Sequence, residues 1–337
     1  MTIPAPGPAG ILVAPGSLAL GETPPKELTD MMPPSELYRF ETDYDLADAR
    51  PGVLLVALDG FMDAGRTQGL LVEHLLSAGE PQVVASFDID QLLDYRGRRP
   101  GMVFERNAWV SYDDPSLLLY RLADRGGQPY YLLTGPEPDY QWERFCEAVL
   151  QVVDLLRISL TVQAYGVPMA VPHTRPVGQS RFATDPRLLP EKDQPVFGTI
   201  QVPGSVASLL HMRLGEAGHP AVGFAIHVPH YLAQGEFPDG AIEALNAITE
   251  RTGLDLPNDA LVAAAHLSRA QVGSELEGND EAVQVVQALE QQYDAYVEGT
   301  RRPSLLATGA EEIPSAEELG AELEDFLKGI DQSGDER

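Results

Sequence analysis

The sequence has little cysteine, little lysine and no long apolar run. Its 337 residues include one cysteine, Cys146, which excludes an internal disulfide and fits a reducing cytoplasm. We expect Cys146 to pack beside Trp142 and Phe145 in an amphipathic helix. No apolar run approaches the roughly 18 residues of a membrane span, and the N-terminus lacks the pattern of a signal peptide. We therefore expect a cytoplasmic protein that is not a membrane protein.

Several catalytic patterns are also missing. The sequence contains no Gly-Lys-Ser/Thr phosphate loop, no triple-glycine dinucleotide pattern, no Gly-x-Ser-x-Gly elbow and no His-Glu-x-x-His. These are the usual signatures of nucleotide-phosphate sites, α/β-hydrolases and zinc peptidases. We predict no cofactor, no metal and no catalytic residue, and favour a non-catalytic role over an enzyme.

Acidic residues dominate the charge. The chain has 51 Asp and Glu against 23 Lys and Arg, a net charge of −28. This charge repels nucleic acids and anionic lipid surfaces, so we expect neither as a partner. Residues 271–337 alone hold 17 acidic and four basic side chains. That segment is either a solvated helical surface or an acidic handle for a basic partner.

Apolar periodicity predicts an α/β fold. Continuous apolar runs of the kind buried on both faces of a parallel sheet predict strands at 53–58, 82–87, 130–134, 158–165 and 221–228. Between them, helical spacing predicts helices near 65–78, at 139–157 and from Ser205, a predicted N-cap, to Gly218. We predict a three-layer α/β/α architecture with a mostly parallel sheet and a C-terminal helical appendix.

Four segments follow from the composition. Residues 1–36 hold eight prolines and predict a flexible Pro/Gly-rich arm. We assign 37–238 to the α/β core, 239–330 to a helical extension and 331–337 to a flexible tail. Within the extension we predict four helices: one capped by Asp239, one capped by Asn258, one at 280–298 and one starting at Ser315.

The strongest candidate site follows the first long strand. The turn Asp59-Gly60-Phe61-Met62-Asp63-Ala64-Gly65 leads into a helix N-terminus, where free N–H groups favour an anion. Asp63 could fill that position itself as an N-cap. The turn is therefore either structural or a ligand contact, and Asp59, Gly60, Asp63 and Gly65 are its candidate residues.

Three arginines form the most basic stretch of this acidic chain: Arg96, Arg98 and Arg99. They could hold a carboxylate or a phosphate by bidentate pairing. They could equally pair with the surplus carboxylates of the protein, including carboxylates across a subunit interface.

Further polar residues follow other predicted strands. Glu137 stands between two prolines, either as a site carboxylate or as part of a rigid turn. His173 and Arg175 follow a second strand, and His227 and His230 end a third. These histidines could converge with the acids as a metal or acid/base site. His227 and His230 share no helical face, so we disfavour a metal.

Several stretches together carry a family resemblance. They are Gly60–Gly65, Leu92–Pro100, Gly135 with Glu137, Pro138 and Trp142, Pro172–Pro176, Pro229–Tyr231 and Ser315–Leu327. With these stretches, residues 38–330 resemble the bacterial branch of the proteasome assembly chaperone 2 family. The resemblance implies a nucleoside-phosphorylase-like α/β/α fold and no catalysis or cofactor. It also implies self-association, with a trimer as one arrangement, and proteasome subunits as partners. Relatives that dock on the proteasome often end in hydrophobic-Tyr-x, whereas this chain ends Gly-Asp-Glu-Arg, so we do not expect docking by that route.

Two functions follow as hypotheses. The first is a homo-oligomeric interaction protein that assists assembly of proteasome-like complexes. The second is an enzyme or sensor that binds a small anionic ligand, such as a nucleoside or phosphorylated metabolite, at the carboxyl ends of the strands.

Overall fold

Ten strands and six α-helices build the part of the chain that the computed structural model describes, residues 32–60, 62–190 and 199–301. The strands are β1 Tyr38–Phe40, β2 Gly52–Asp59, β3 Gln82–Phe87, β4 Met102–Glu105, β5 Ala108–Tyr112, β6 Leu118–Ala123, β7 Pro129–Pro136, β8 Ile158–Met169, β9 Gln179–Ala183 and β10 Ala221–Pro229. The helices are α1 Thr67–Ala78, α2 Trp142–Leu155, α3 Val206–Glu216, α4 Pro238–Thr252, α5 Asp259–Leu276 and α6 Asp280–Arg301.

Eight strands form one mixed sheet, in the order β1-β3-β6-β7-β2-β8-β10-β9. The four neighbours β7, β2, β8 and β10 run parallel, while the strands toward both edges pair antiparallel. Strands β4 and β5 form a separate two-stranded hairpin. With helices on both faces, the predicted three-layer α/β/α fold is confirmed, and its parallel part lies at the centre of the sheet.

Strand β2 shows why the core has two halves. Side chains alternate across a strand, so Leu54, Val56 and Leu58 pack with α2 and α3 on one face. Val53, Leu55 and Ala57 pack on the other face with α1 and α4. The unbroken apolar run therefore reflects burial on both sides, as expected for a central parallel strand.

The predicted elements in the described ranges form close to their expected bounds. All five predicted strands are present, as β2, β3, β7, β8 and β10, and the six predicted helices appear as α1 to α6. The sequence analysis did not predict β1, β4, β5, β6 or β9. Strands β1 and β9 lie at the sheet edges, and the hairpin strands are exposed along their whole length, so none shows a buried apolar run. The predicted helix at Ser315 lies outside the described residues.

The predicted helix caps have three different outcomes. Ser205 caps α3 as predicted, because its hydroxyl accepts a hydrogen bond from the Ser208 nitrogen at 3.1 Å. The Asp239 cap is wrong: α4 starts one residue earlier, at Pro238, which places Asp239 within its first turn. Asn258 occupies the cap position of α5, but its side chain makes no capping hydrogen bond.

Helix α4, which begins at the predicted boundary between core and extension, packs on the core. Helix α4 buries Ala241, Ala244 and Ile248 against the sheet, and α5 packs on α4 through Leu261. The division into a core at 37–238 and an extension at 239–330 stays a prediction. Of the predicted arm, the described residues include a turn at Pro34–Glu36, and the Pro33 carbonyl accepts a hydrogen bond from Arg144 at 3.0 Å.

The single cysteine is a buried core residue. Cys146 is fully buried on α2, and this burial raises the pKa of its thiol to about 12. A thiol with so high a pKa is a weak nucleophile near neutral pH, so Cys146 has the predicted packing role. Among the described helices, none is both long and apolar enough to cross a membrane.

Candidate functional site

The loops after four parallel strands meet at one edge of the sheet. Strands β7, β2, β8 and β10 run parallel and end at Pro136, Asp59, Met169 and Pro229. In α/β sheets this carboxyl edge is where ligand sites usually form. The predicted residues in the loops after these strands are Asp59, Gly60, Asp63, Gly65, Glu137, His173, Arg175 and His230.

Asp63 caps α1. Its two carboxylate oxygens accept hydrogen bonds from the backbone nitrogens of Gln68 at 2.8 Å and Gly69 at 3.0 Å. A third nitrogen, that of Gly166 on β8, lies 3.4 Å from the carboxylate. Burial raises the pKa of Asp63, and the three N–H groups oppose that rise. The N-terminus that could have received an anionic ligand is therefore filled by a side chain of the protein itself.

Gly65 joins two of the loops. Its nitrogen donates to the Ala233 carbonyl and its carbonyl accepts from the Phe237 nitrogen, both at 2.9 Å. Its φ of +66° is in the left-handed region, and an added Cβ would lie 2.7 Å from the Cβ of Phe237. Glycine is thus required here both for the backbone conformation and for the close approach of the loop after β10.

Glu137 caps a second helix. Its side chain is only 7% exposed, and its Oε1 accepts a hydrogen bond from the backbone nitrogen of Val206, the first residue of α3, at 2.6 Å. Burial raises the pKa of this carboxyl group. The carboxylate also lies over Gly60, where an added Cβ would be 2.9 Å from Oε2. Glu137 and Gly60 therefore form a packed joint between β2, β7 and α3.

Of the three predicted arginines, one is tied to this joint. Arg98 donates to the Glu137 carbonyl at 3.0 Å and forms an ion pair with Asp139 at 2.9 Å. Arg96 and Arg99 are exposed and form no ion pair with any residue in the described ranges. Among the described residues, Arg98 is thus the one of the three that pairs with a carboxylate of the protein.

Asp59 is the carboxylate at this edge whose side chain caps no helix. Its backbone carbonyl accepts from the Glu137 nitrogen at 3.0 Å, but its side chain forms no hydrogen bond within the described part of the chain. Partial burial, and next the negative charge of Asp63, raise the pKa of Asp59, while Arg66 and Arg98 oppose the rise. Among the carboxylates predicted for the site, Asp59 is the one still able to contact a ligand.

The predicted histidines and Arg175 form a second group. His173 Nδ1 lies 2.7 Å from the hydroxyl of Tyr231, and its ring and that of His230 both pack edge-on against the Tyr231 ring. Burial lowers the pKa of His173. His227 lies apart, 2.8 Å from the Ser180 hydroxyl. The structure therefore gathers His173 and His230 around a tyrosine that sequence reasoning missed.

Arg175 connects this group to the last described helix. It forms ion pairs with Asp294 at 2.7 Å and Glu290 at 3.2 Å, both on α6. Beside it lies a cleft of about 480 Å³ between the loop after β8 and helices α4 and α5, lined by His173, Thr174, Arg175, Pro176, Val177, Asp239, Ile242, Glu243 and Arg269. In that cleft Arg269 is already paired with Asp239.

The predicted residues thus form two groups instead of one site. Asp59 and Glu137 lie near Arg98 at the ends of β2 and β7, and Asp63 lies near Asp59. His173, Arg175 and His230 lie beside Tyr231 at the ends of β8 and β10. Within the described ranges, no cluster of three His, Cys, Asp or Glu side chains could hold a metal ion.

An exposed hairpin is the feature that the sequence analysis missed. Strands β4 and β5 lie outside the main sheet, with Phe104 55% and Trp109 64% exposed. These two rings pack edge-on across the hairpin at 5.0 Å. Further exposed apolar side chains of the hairpin are Met102, Val103, Val110 and Tyr112. The β-branched and aromatic residues of Met-Val-Phe-Glu and Ala-Trp-Val-Ser-Tyr, on either side of Arg-Asn, could have identified these strands.

Known structures resemble this chain over most of its length. A Mycobacterium tuberculosis protein of unknown function is 42% identical, with 78% of this chain and 90% of that chain covered and a TM-score of 0.73. A Corynebacterium glutamicum protein of unknown function is 35% identical, with 79% and 100% covered and the same TM-score of 0.73.

A third similar structure is a Mycobacterium tuberculosis proteasome-assembly chaperone homologue. It is 25% identical to this chain, with 69% of this chain and 99% of that chain covered and a TM-score of 0.63. Comparison with curated proteins gives no match. The model of the PAC2 family matches residues 57–275, from the middle of β2 almost to the end of α5. The resemblance of the sequence to this family is therefore confirmed, and the chain belongs to the PAC2 family.

Proposed function

We propose that this protein is a non-catalytic, homo-oligomeric interaction protein of the cytoplasm that assists assembly of proteasome-like complexes. Membership of the PAC2 family and the likeness to a proteasome-assembly chaperone homologue support this proposal. The subunits of such a complex are its expected partners besides a second copy of the chain.

The exposed β4–β5 hairpin is the observation that carries the proposal. Large exposed apolar side chains, grouped on an element outside the core, mark surfaces that contact other proteins. An isolated two-stranded hairpin is also only marginally stable in water. Trp109, Phe104 and Tyr112 are therefore expected to be covered when the protein is bound to its partner.

The arrangement of the carboxyl edge of the sheet also supports an interaction role. Asp63 and Glu137, the two carboxylates best placed for a ligand site, hold the first amides of α1 and α3. This role positions helices and occupies carboxylate oxygens that a ligand would otherwise contact. The carboxyl edge is thus built as a rigid joint, and the recognition surface lies elsewhere.

The second hypothesis, an enzyme or sensor for a small anionic ligand, is favoured by the cleft that His173, Arg175 and Arg269 line. Both guanidinium groups are paired with carboxylates of the chain. An anion would have to displace those carboxylates in order to bind. We therefore rank this function below the interaction role.

Affinity purification of the tagged, full-length protein from its native cells tests the proposal. Mass spectrometry would identify the co-purified proteins at low and at moderate salt, and a variant with Phe104→Ser and Trp109→Ser would be the comparison. We expect proteasome subunits or assembly intermediates with the wild type and their loss with the variant. Recovery of the wild-type protein alone would refute a stable complex and favour screening the cleft with nucleosides and phosphorylated metabolites.

A further inference from the structure

We propose that the β4–β5 hairpin of one copy docks on the exposed side of α5 and α6 of a second copy, in a head-to-tail contact. This inference rests on the self-association in the proposed function and gives it a specific interface. It assigns complementary roles to two surfaces, which we call the hairpin surface (residues 95–112) and the helical surface (residues 259–298).

The hairpin surface is apolar, and no residue in the described part of the chain covers it. Its two strands make extensive contacts only with each other among the described elements. Phe104 and Trp109 are stabilised mainly by their mutual edge-on packing. In a globular monomer such rings would pack on the core, so their exposure indicates a surface that is buried on assembly.

The charge of the hairpin surface is opposite to that of the whole protein. Residues 95–112 contain four arginines and one glutamate, a net charge of +3 in a chain with a net charge of −28. Arg98 is tied to Asp139, whereas Arg96, Arg99 and Arg106 form no ion pair with a described residue. Three arginines without an ion pair to a described residue, on the same segment as an exposed aromatic pair, are the composition expected of a surface that meets an acidic one.

The helical surface offers the matching properties. Residues 259–298 contain eight acidic side chains and one arginine, a net charge of −7. Asp259, Glu290 and Asp294 are already paired with Arg125 and Arg175. The acids that form no ion pair with a described residue are Glu275, Glu277, Asp280 and Glu281. Between the acids, Leu267 is 75% and Tyr296 61% exposed, and Val285 is also exposed. Val285 and Tyr296 are eleven residues apart, which places them on the same side of α6 because eleven residues make just over three full turns. Acidic groups around exposed apolar side chains complement arginines around exposed aromatic rings.

The charges of the two surfaces favour contact between unlike surfaces over contact between two copies of the same surface. The hairpin surface is anchored beside the end of β7 through Arg98 and Asp139. The helical surface is anchored beside the end of β8 through Arg175 and Asp294. Two hairpin surfaces facing each other would bring like charges together, whereas hairpin on helix brings opposite charges together. A head-to-tail contact of this kind closes into a ring when the rotation between neighbours permits it.

Two sets of substitutions test the contact in the full-length protein. The hairpin variant carries Phe104→Ser and Trp109→Ser. The helix variant carries Leu267→Arg and Tyr296→Arg, which add positive charge opposite the arginines. Met212→Ser, on α3, is the matched control because Met212 is similarly exposed and belongs to neither surface. Circular dichroism would verify that each variant is folded, and sedimentation velocity would give its mass.

We expect the wild type and the Met212→Ser protein to form the same oligomer. The hairpin and helix variants are each expected to sediment as a monomer of 36.5 kDa. An equimolar mixture of the two variants should form a dimer, because the intact hairpin of one fits the intact helical surface of the other. Replacing Arg96, Arg99 and Arg106 with glutamine should raise the dissociation constant and reduce its dependence on salt.

Three results would overturn the inference: a monomeric wild type, a hairpin variant with the wild-type mass, and a variant mixture that stays monomeric. If the hairpin variant keeps the wild-type mass, this interface is wrong while self-association and the proposed function stand. If the wild type is monomeric but captures proteasome subunits through its hairpin, the partner is another protein instead of a second copy.

Discussion

The carboxylate of Glu137 lies 2.6 Å from the backbone nitrogen of Val206, which is 69 residues further along the chain. An acid that ends one central strand thereby fixes the start of a helix on the face of the sheet. The helix carries Val206, Leu210 and Leu214 into the core. A capping contact between distant residues therefore sets both the position of α3 and the shape of the sheet edge.

This contact predicts that Glu137 contributes mainly to stability. Glu137→Ala should lower the free energy of unfolding by about 1 to 3 kcal/mol, because the buried amide of Val206 loses its acceptor. Glu137→Gln keeps an oxygen acceptor and should lower the free energy of unfolding by less. Urea unfolding followed by circular dichroism measures both values. An unchanged free energy in the alanine variant would contradict the capping role.

Gly65 predicts a second effect on stability. Gly65 has a left-handed backbone conformation, and the Cβ of an alanine there would clash with Phe237. Gly127 has a similar φ of +80°, but no described atom lies within 4 Å of an added Cβ. The left-handed conformation alone costs about 1 to 2 kcal/mol. Gly65→Ala should therefore destabilise the protein by clearly more than Gly127→Ala in thermal unfolding. Equal losses would show that the loop after β10 can move away.

His211 predicts a dependence on pH. Neither of its ring nitrogens has a hydrogen-bond partner in the described part of the chain, and burial lowers the pKa of the side chain below its ordinary value of 6.5. The unfolded chain then binds the proton more readily, so the folded state loses stability as pH falls through 6.5 toward the lower, folded pKa.

A His211→Leu variant isolates this contribution. It removes the unpartnered nitrogens and should raise the free energy of unfolding by about 1 kcal/mol at neutral pH. The difference in free energy of unfolding between this variant and the wild type should grow as the pH falls from about 7.5 to about 5.5. Unfolding in urea at both pH values measures the difference, and an advantage that stays constant would refute the role assigned to His211.

Arg175 predicts a local effect on α6. Arg175→Ala removes the ion pairs to Glu290 and Asp294, so backbone amides of α6 should exchange hydrogen several-fold faster while those of β2 and β8 keep their protection. Arg187→Ala is the control, because among the described residues Arg187 pairs with its near neighbour Asp185 alone. Hydrogen exchange with mass spectrometry measures both variants. Unchanged exchange in α6 would show that apolar contacts with α5 suffice to hold it.

The sequence analysis predicted the central strands of the sheet but not the strands at its edges. The apolar runs of β2, β8 and β10 predicted these strands because a central strand is buried on both faces. The same rule could not find β1 or β9 at the edges. It also missed the hairpin, whose side chains are exposed and therefore lack the burial that produces a periodic pattern.

By itself, then, the sequence determined the α/β class, the main strands and helices, the acidic charge and the family. Only the tertiary structure decided that Asp63 and Glu137 cap helices, that Arg175 holds α6, and that Phe104 and Trp109 face outward. The physical reason is the separation along the chain of the residues that interact. Strand and helix patterns arise between residues a few positions apart, whereas capping, ion pairing and exposure depend on which distant segments the folded chain brings together.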